Sequence, residues 1–379
     1  MTRDDFLGIA LGFAVLAAVA VLAFGGDWLL AQNDYGNPFA QEARRRGLPF
    51  DARTPDEFVN ETRDFARDGK AARRTITAVY PVNLLDGRMK IWNGVITKFI
   101  VPFGSPALSR TYPCNEGTRF SFNTDAYGFT NPLEAWEIPE MILLGDSFVE
   151  GMCQPEGNRI ADYLRLTHRV LNLARAGAAP VTQLGILREY GTKFSPKVIL
   201  WFATDNDFRG IQDELKSPIL MRYLEDDAFS QALFENQFYV NGAVYGYASR
   251  ALGVNVRVPG SAVWRAFHGV WRASQEATAP KPDMRKLSLA FVQTLKAAQR
   301  ATGEKLILVY LADYRKNAQP KRKEILRIAK EAGIAFIDTT IPMADPEDLH
   351  QWGIGHYTPL GNRLVAEAVL RGLNDVAAR

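Results

Sequence analysis

From residue 138 onward, short apolar runs alternate with longer stretches in which apolar residues recur at helical spacing. Runs of this length are typical of parallel strands that are buried on both faces. The alternation predicts a doubly wound α/β layer sandwich with a five-stranded parallel sheet. The predicted strands are residues 141–144, 170–173, 198–202, 306–311 and 335–338. The predicted helices lie near residues 158–167, 182–194, 284–302, 320–332 and 360–374.

Three stretches depart from this pattern. The interval at about 208–283 is too long for a simple crossover, and its many aromatic residues predict a helical insertion that shapes or covers a pocket. Residues 77–135 favour strands and turns and predict a small β-rich lead-in. Residues 31–76 are polar and charged, which predicts a juxtamembrane stalk or a pair of surface helices. The expected domains are therefore 1–30, 31–76, 77–135 and 136–379, the last containing the insertion.

The beginning of the chain is its most apolar part. Residues 6–24 are nineteen residues without a charge, which is long enough to cross a bilayer core. They predict an N-terminal transmembrane helix that anchors the protein. A cleaved signal peptide is the alternative, because Ala23-Phe24-Gly25 has a small-x-small pattern. Arg44, Arg45 and Arg46 favour an inward orientation for the segment after the anchor, although a large domain translocates largely regardless of charge.

The only two cysteines in the sequence bear on the compartment. Cys114 and Cys153 lie on either side of the predicted strand 141–144, in loops that we expect at the same edge of the sheet. They are candidates for a disulfide, and two unrelated buried thiols are the alternative. A disulfide would place the domain in an oxidising compartment. We therefore expect a single-pass membrane protein with its large domain in an oxidising compartment such as the periplasm.

Composition and charge exclude some functions. The net charge is +3 and the basic residues are scattered among acids, so we expect no nucleic-acid partner. Asp205 and Asp207 are close in sequence, but no cluster of histidine or cysteine accompanies them. We therefore expect no metal site and no cofactor.

Polar residues follow three successive predicted strands. Ser147 ends the first in Gly145-Asp146-Ser147, Gly177 follows the second, and Asn206 follows the third. These positions lie at the carboxyl edge of a parallel sheet, where α/β folds place their sites. His356 precedes the last predicted helix and can supply the base that an attacking serine needs. His350, six residues earlier, is the reserve candidate for the base.

These residues resemble the SGNH (GDSL) hydrolase family, which is named after serine, glycine, asparagine and histidine in four sequence blocks. The resemblance covers about residues 119–379 and is closer to a bacterial membrane-anchored branch that shares the stretch 125–132. It implies a flavodoxin-like three-layer sandwich with esterase, lipase or carbohydrate acyl-esterase activity and, with the predicted anchor, a location at a bacterial inner membrane. It also implies that Ser147 is the nucleophile and His356 the base. The backbone N–H groups of Ser147 and Gly177 and the Asn206 side chain would form the oxyanion hole.

The sequence departs from the family pattern at two positions. The family often has an aspartate three residues before the histidine, where this chain has Gly353. The third block usually begins with glycine, but here Thr204 and Asp205 precede the asparagine, and we expect Asp205 to point away from the oxyanion hole. The orienting acid is then expected nearby, or a backbone carbonyl orients the ring and leaves a Ser–His dyad. The candidate acids are Asp345, Glu347 and Asp348.

The leading hypothesis is a membrane-anchored serine esterase that acts on an ester of the cell envelope. Its partners would be an ester-bearing small molecule or polysaccharide, with an O-acetylated carbohydrate as the first guess on family grounds. A second hypothesis is a polysaccharide O-acetyltransferase that works with an integral-membrane acyl-donor partner. A third is a non-catalytic assembly subunit that keeps the fold, since fold alone does not fix function.

Overall fold

The structure is a computed structural model that describes part of the 379-residue chain. The described residues are 38–51, 76–87, 89–92, 97–111, 114, 116, 121–254, 283–313, 321–341 and 345–378. The chain divides into two compact units, one of residues 1–50 and 254–281 and the other of residues 51–253 and 282–379. The first unit contains helix α1 (Pro38–Arg45), and Glu42 on this helix forms ion pairs with Arg45 and with Arg46, which follows the helix. All later elements belong to the second unit, apart from Val254, the last residue of the helix Gln237–Val254.

The predicted membrane anchor at residues 6–24 lies outside the described residues, as does most of the predicted stalk at 31–76. Among the helices in the described ranges, none combines the length and the apolar character that a membrane crossing requires.

The described residues of the predicted β-rich lead-in include two short antiparallel strand pairs. Strand β1 (Met89–Trp92) pairs with β2 (Thr97–Ile100), and β3 (Arg110–Thr111) pairs with β4 (Phe122–Asn123). Apolar residues of this segment, including Phe103 and Phe129, are fully buried in the same hydrophobic core as the main sheet. The lead-in is therefore part of the folded α/β unit.

The main sheet has five parallel strands in the order β6-β5-β7-β8-β9. Strands β5, β6, β7 and β8 are almost wholly buried, as expected of strands covered on both faces. The sequence prediction of this sheet is confirmed, with strand ends that differ by at most one residue. The strands are β5 (Met141–Leu144), β6 (Val170–Asn172), β7 (Val198–Ala203), β8 (Leu306–Tyr310) and β9 (Ala335–Asp338).

Helices connect the strands and form the outer layers. The helices are α2 (Ser147–Glu150), α3 (Ile160–Leu164), α4 (Pro180–Glu189), α5 (Asp207–Glu214), α6 (Pro218–Glu225), α7 (Gln237–Val254), α8 (Met284–Thr302), α9 (Arg322–Ala332), α10 (Pro346–Leu349) and α11 (Pro359–Ala377). Helix α8 packs against α4 and α9, whereas α11 packs against α3. Helices α5, α6 and α7 form the described part of the predicted insertion.

The stretch 125–132 joins the lead-in to the main sheet. The buried Asp125 carboxylate accepts hydrogen bonds from the Asn131 side chain at 3.0 Å and from the Trp136 indole at 2.8 Å, besides two backbone N–H groups. Asn131 in turn binds both the backbone N–H and the carbonyl of Asn172, at 2.8 and 2.9 Å. Burial raises the pKa of Asp125, and the hydrogen bonds oppose that rise. This stretch therefore has a structural role, because it fixes the end of β6.

The carboxyl group of Glu214 makes stability depend on pH. It is fully buried at the end of α5 and accepts hydrogen bonds from the backbone N–H groups of Ala179, Val181 and Thr182 at the start of α4. Burial raises the pKa of Glu214 from its ordinary value of 4.5 to about 7. Between these two values the unfolded chain has released its proton while the folded chain retains it. The free energy of unfolding should therefore fall as the pH rises through this window.

We expect Glu214→Gln to remove this pH dependence. One pKa unit corresponds to about 1.4 kcal/mol, so the native protein should lose about 3 kcal/mol relative to the variant between pH 4.5 and pH 7.5. Urea unfolding of both proteins at the two pH values measures the difference. If the free energy of unfolding changed equally with pH in the two proteins, Glu214 would have the same pKa in the folded and unfolded states.

Candidate active site

Ser147 lies at a strand–turn–helix junction at the carboxyl end of β5. Helix α2 begins at Ser147, and the Asp146 side chain caps it by accepting a hydrogen bond from the Phe148 N–H at 3.0 Å. A Cβ atom on Gly145 would lie 2.7 Å from Val149 Cγ2, so the turn is too close to the helix for a larger residue. The Gly-Asp-Ser sequence therefore forms a tight turn that holds the serine at the sheet edge.

His356 reaches Ser147 from the loop before α11. The ring nitrogen Nε2 lies 2.8 Å from Ser147 Oγ. Thr358 ends the loop, since its side chain caps α11 by accepting a hydrogen bond from the Gly361 N–H at 3.1 Å. The ring of Phe148, next to the serine, packs against His356 with centroids 4.8 Å apart. The two residues that the sequence singled out as nucleophile and base are thus within hydrogen-bonding distance.

Glu116 binds the other side of the His356 ring. The distance from His356 Nδ1 to Glu116 Oε1 is 2.5 Å, and the backbone N–H of His356 also donates to this carboxylate at 3.1–3.2 Å. An ionised carboxylate only accepts, so Nδ1 carries a proton and the Nε2 of a neutral ring is free to accept the Ser147 proton. A Cβ atom on Gly355 would lie 2.4 Å from Glu116 Oε2, so glycine is needed for this approach.

The prediction of the orienting acid was wrong. The candidates Asp345, Glu347 and Asp348 are all exposed around α10, where the Asp345 carboxylate accepts a hydrogen bond from the Glu347 N–H at 2.9 Å. None of the three binds His356. The prediction relied on nearness in sequence. The side chains of these three acids are exposed to solvent, whereas the His356 side chain binds Ser147. The acid comes from the lead-in, 240 residues before the histidine.

His350, the reserve candidate for the base, does not bind Ser147 in the described structure. It is fully buried, and its Nδ1 lies 2.9 Å from the carbonyl oxygen of Gly355. Its backbone forms an isolated antiparallel bridge with Tyr357, which closes the loop that carries His356. His350 therefore supports the loop, and His356 occupies the position of the base.

Gly177 lies beyond the end of β6 with a left-handed backbone, φ +73°. A Cβ atom there would lie 2.6 Å from Val82 Cγ1, so both the conformation and the space require glycine. The preceding N–H, of Ala176, donates to Glu150 Oε2 at 2.8 Å. The turn that presents Gly177 is therefore fixed from the end of the helix that begins at Ser147.

Asn206 lies at the end of β7, and its side chain is bound to the serine turn. Its Nδ2 donates to Asp146 Oδ2 at 3.1 Å, while its Oδ1 accepts a hydrogen bond from the Thr204 hydroxyl. The Thr204 hydroxyl also lies 3.2 Å from Asp146 Oδ2. Threonine thus helps to orient the amide at a position where the family usually has glycine.

The two aspartates beside Asn206 are both bound to neighbouring groups. Asp205 Oδ1 accepts a hydrogen bond from the Tyr310 hydroxyl at the end of β8, at 3.1 Å. Asp207 Oδ2 accepts one from the Thr204 N–H at 2.7 Å, and burial raises the pKa of Asp207 well above its ordinary value. The third sequence block is therefore a turn held by its own side chains.

We expect Asn206→Ala to lower kcat by about a hundredfold or more, which is the usual effect of removing one oxyanion donor. KM should change little, because this hydrogen bond is made mainly in the transition state. Steady-state kinetics on an activated ester measure both constants. Asn374→Ala, on the exposed side of α11, is the matched control. An unchanged kcat in Asn206→Ala would remove this amide from the oxyanion hole.

A buried ion pair connects the serine helix to the Gly177 turn. The Glu150 and Arg175 side chains are each 1% exposed and form a salt bridge. Arg175 also donates to the Val79 carbonyl at 2.7 Å and to Ser105 Oγ at 2.8 Å, both in the lead-in. Burial raises the pKa of Glu150, and the charge of Arg175 opposes that rise. The pair therefore joins three parts of the site in a region without solvent.

We expect Glu150→Gln to destabilise the fold by about 3–5 kcal/mol, because it leaves the Arg175 charge buried without its counter-ion. Lys216→Gln breaks an exposed ion pair with Asp213 and should cost less than about 1 kcal/mol. Chemical unfolding of both variants gives the comparison. Equal, small losses in the two variants would contradict a structural role for the buried pair.

Cys114 and Cys153 form a disulfide, with a Cα–Cα distance of 4.7 Å. In the described part of the chain, the one group of side chains with spacing suited to a metal is Glu116, Cys153 and His356, whose ligand atoms lie within 4.8 Å of one another. The Cys153 sulfur is in the disulfide and His356 is hydrogen-bonded to Glu116. These residues therefore do not fit a metal ion as they stand.

A small cavity lies beside the Ser147–His356 pair. Its volume is about 40 Å³, and its walls come from the ends of β7 and β8 and from the residues that follow Ser147 and His356. The lining residues are Phe148, Thr204, Asp205, Asn206, Leu311, Ala312, Asp313 and Tyr357. A larger cavity of about 470 Å³ lies between β1 and α7 and is lined by none of the predicted site residues.

No protein-family model matches the chain, and no curated protein matches it in sequence. Several solved structures are similar to the chain in fold. A lipase/acylhydrolase from Enterococcus faecalis is 16% identical with a TM-score of 0.35, over 62% of this chain and 96% of its own. An acetylxylan esterase from Geobacillus stearothermophilus is 16% identical with a TM-score of 0.34, over 62% and 94%. The esterase EstA from Pseudoalteromonas is 11% identical with a TM-score of 0.36, over 63% and 100%.

Sequence identities and TM-scores this low do not establish an activity. The sheet and the site residues can be compared directly with the four sequence blocks of the SGNH pattern. The serine, glycine and asparagine follow the ends of β5, β6 and β7, and the histidine before α11 binds the serine. Glu116 is the one member that the four sequence blocks do not indicate. The sheet and the site residues are therefore arranged as the sequence resemblance to the SGNH (GDSL) hydrolases predicts.

Proposed function

We propose that the protein is a serine esterase that hydrolyses short acyl esters, with an O-acetylated carbohydrate as the first substrate to test. The observation that carries this proposal is the chain of contacts from Ser147 Oγ to His356 Nε2, 2.8 Å, and from His356 Nδ1 to Glu116 Oε1, 2.5 Å. An activated nucleophile needs a base within hydrogen-bonding distance and a group that orients that base. This contact chain supplies both.

The reaction can be derived from these positions. His356 Nε2 takes the hydroxyl proton as Ser147 Oγ attacks the ester carbonyl, and Glu116 stabilises the imidazolium that forms. The oxyanion of the tetrahedral intermediate would be bound by the N–H groups of Ser147 and Gly177 and by the second amide N–H of Asn206. His356 then gives its proton to the leaving alcohol. Water attacks the acyl-enzyme by the same route and releases the acid.

The cavity beside the serine supports a short acyl group. Its volume of about 40 Å³ is small, which favours a short acyl group such as acetyl over a long chain. Asp205 and Asp313 in its walls offer oxygen acceptors to hydroxyl-bearing compounds. A sugar ester has both features, a small acyl group and many hydroxyls.

The compartment and the partners are part of the proposal. Both cysteines of the chain are in one disulfide, which supports an oxidising compartment such as the periplasm. A domain held there by an anchor at residues 6–24 would meet esters of the cell envelope. Transfer of the acyl group to a polysaccharide, with a membrane acyl donor, uses the same acyl-enzyme and differs only in the acceptor.

Hydrolysis of p-nitrophenyl acetate, butanoate and octanoate by the full chain tests the proposal. The acetate should give the highest kcat/KM, about tenfold or more above the octanoate, since the small cavity excludes the longer chain. Acetate release from O-acetylated xylan is then measured with and without a polysaccharide acceptor. Acetyl transfer that exceeds hydrolysis would favour the transferase. A folded protein without turnover on any ester would support the non-catalytic subunit.

A further inference from the structure

The disulfide connects the two ends of the catalytic contact chain. Cys114 precedes Glu116 by two residues, and Cys153 follows Ser147 by six. The sulfur atoms are buried, with Cys114 1% and Cys153 0% exposed. The Glu116 N–H lies 3.4 Å from Cys114 Sγ. The bridge therefore lies between the acid and the helix of the nucleophile.

On the nucleophile side, the attachment of Cys153 is rigid. The backbone N–H groups of Gly151 and Met152 both donate to the Ser147 carbonyl, at 3.2 and 3.0 Å, so the turn after α2 is fixed by the serine residue itself. Cys153 has a left-handed backbone, φ +62°, which residues other than glycine seldom adopt. This conformation directs the cysteine toward the lead-in.

On the acid side, regular structure gives little support. Glu116 and Cys114 lie between β3 and β4, which are only two residues long each, and neither residue is in a helix or strand. Holding such residues in one position costs conformational entropy, and the covalent bond of Cys114 to Cys153 limits the positions open to Glu116, two residues away.

We propose that Cys114 and Cys153 are a positioning pair for the catalytic acid, and that the disulfide maintains the rate by holding Glu116 against His356. This inference rests on the proposed function. Reduction by a dithiol transfers two electrons and two protons to the bridge, which yields two thiols and the cyclic disulfide of the reagent. The freed loop then leaves Ser147 and His356 as a dyad with a poorly oriented base.

The test compares oxidised and reduced full-length protein in two backgrounds. In the native background, reduction should lower kcat about tenfold or more and leave KM within about twofold, because orientation of His356 matters most in the transition state. In Glu116→Gln, reduction should change kcat by no more than about twofold, since the contact is already lost. The double variant Cys114→Ser/Cys153→Ser should match the reduced protein. A chelator excludes inhibition by a metal bound to the freed Cys153.

Proton NMR gives a readout that does not depend on turnover. The His356 Nδ1–H in a short hydrogen bond to a carboxylate should appear far downfield in the oxidised protein and in Ser147→Ala. It should vanish on reduction and in Glu116→Gln, and return on reoxidation. A resonance that behaves this way without any ester hydrolysis would support the positioning role and contradict the proposed function.

Three results would overturn the proposal. The first is a kcat that is unchanged on reduction, and the second is an equal loss of kcat in the Glu116→Gln background. The third is global unfolding of the reduced protein by circular dichroism, because the proposal requires a folded protein that has lost only the acid contact.

Discussion

Replacing Ser147 with alanine is expected to lower kcat by about 10⁵–10⁶-fold, to the level that binding and the oxyanion donors alone provide. The hydroxyl is the only group at this position that can form the acyl-enzyme, and His356 has no other hydrogen-bonded nucleophile in the described structure. The fold should not change, because alanine fits the start of α2 and Asp146 still caps that helix through the Phe148 N–H. Steady-state hydrolysis of p-nitrophenyl acetate and thermal unfolding measure the two effects.

Ser195→Ala is the matched control for this variant. Ser195 is exposed and precedes β7, at the opposite edge of the sheet from Ser147. It should keep native activity and stability. Turnover by Ser147→Ala within about tenfold of native would exclude Ser147 as the nucleophile.

Replacing Glu116 with glutamine is expected to lower kcat by about 10³–10⁴-fold, as the loss of an orienting acid does in other serine hydrolases. The glutamine amide can present an N–H to His356 Nδ1, which favours the tautomer with the proton on Nε2. That tautomer cannot accept the Ser147 proton. KM should stay close to native, since Glu116 lies behind the ring, away from the serine.

Glu347→Gln and Asp348→Asn are the controls, because sequence proximity had suggested these residues for the same role. Both side chains are exposed at α10 and neither binds His356, so activity should stay native. A large loss in either control, or native activity in Glu116→Gln, would return the acid to the segment before the histidine.

Much of the fold could be predicted from the sequence because parallel strands buried on both faces are continuous apolar runs. Strand β5 (Met141–Leu144) is one such run and is followed by the turn that carries Ser147, so the strand also located the nucleophile. Strands β6 and β7 located Gly177 and Asn206 in the same way. Local patterns were sufficient for these residues, because each lies in the turn that follows the end of one strand.

Glu116 could not be predicted from such patterns because its role depends on a contact across 240 residues. It lies in an irregular loop, where hydrophobic periodicity carries no information. The one sequence signal was its nearness to Cys114. If the Cys114–Cys153 bridge is taken as given, a carboxylate two residues from it lies near the helix of Ser147. A prediction that considers only acids near His356 in sequence does not include Glu116.

The most direct test of the central claim, that Ser147 is an activated nucleophile, is covalent labelling of the full chain with a fluorophosphonate, followed by peptide mass spectrometry. We predict one adduct, on Ser147, that is absent in His356→Ala and forms more slowly in Glu116→Gln. Absence of labelling in a folded protein, or an adduct on a serine elsewhere, would contradict the account.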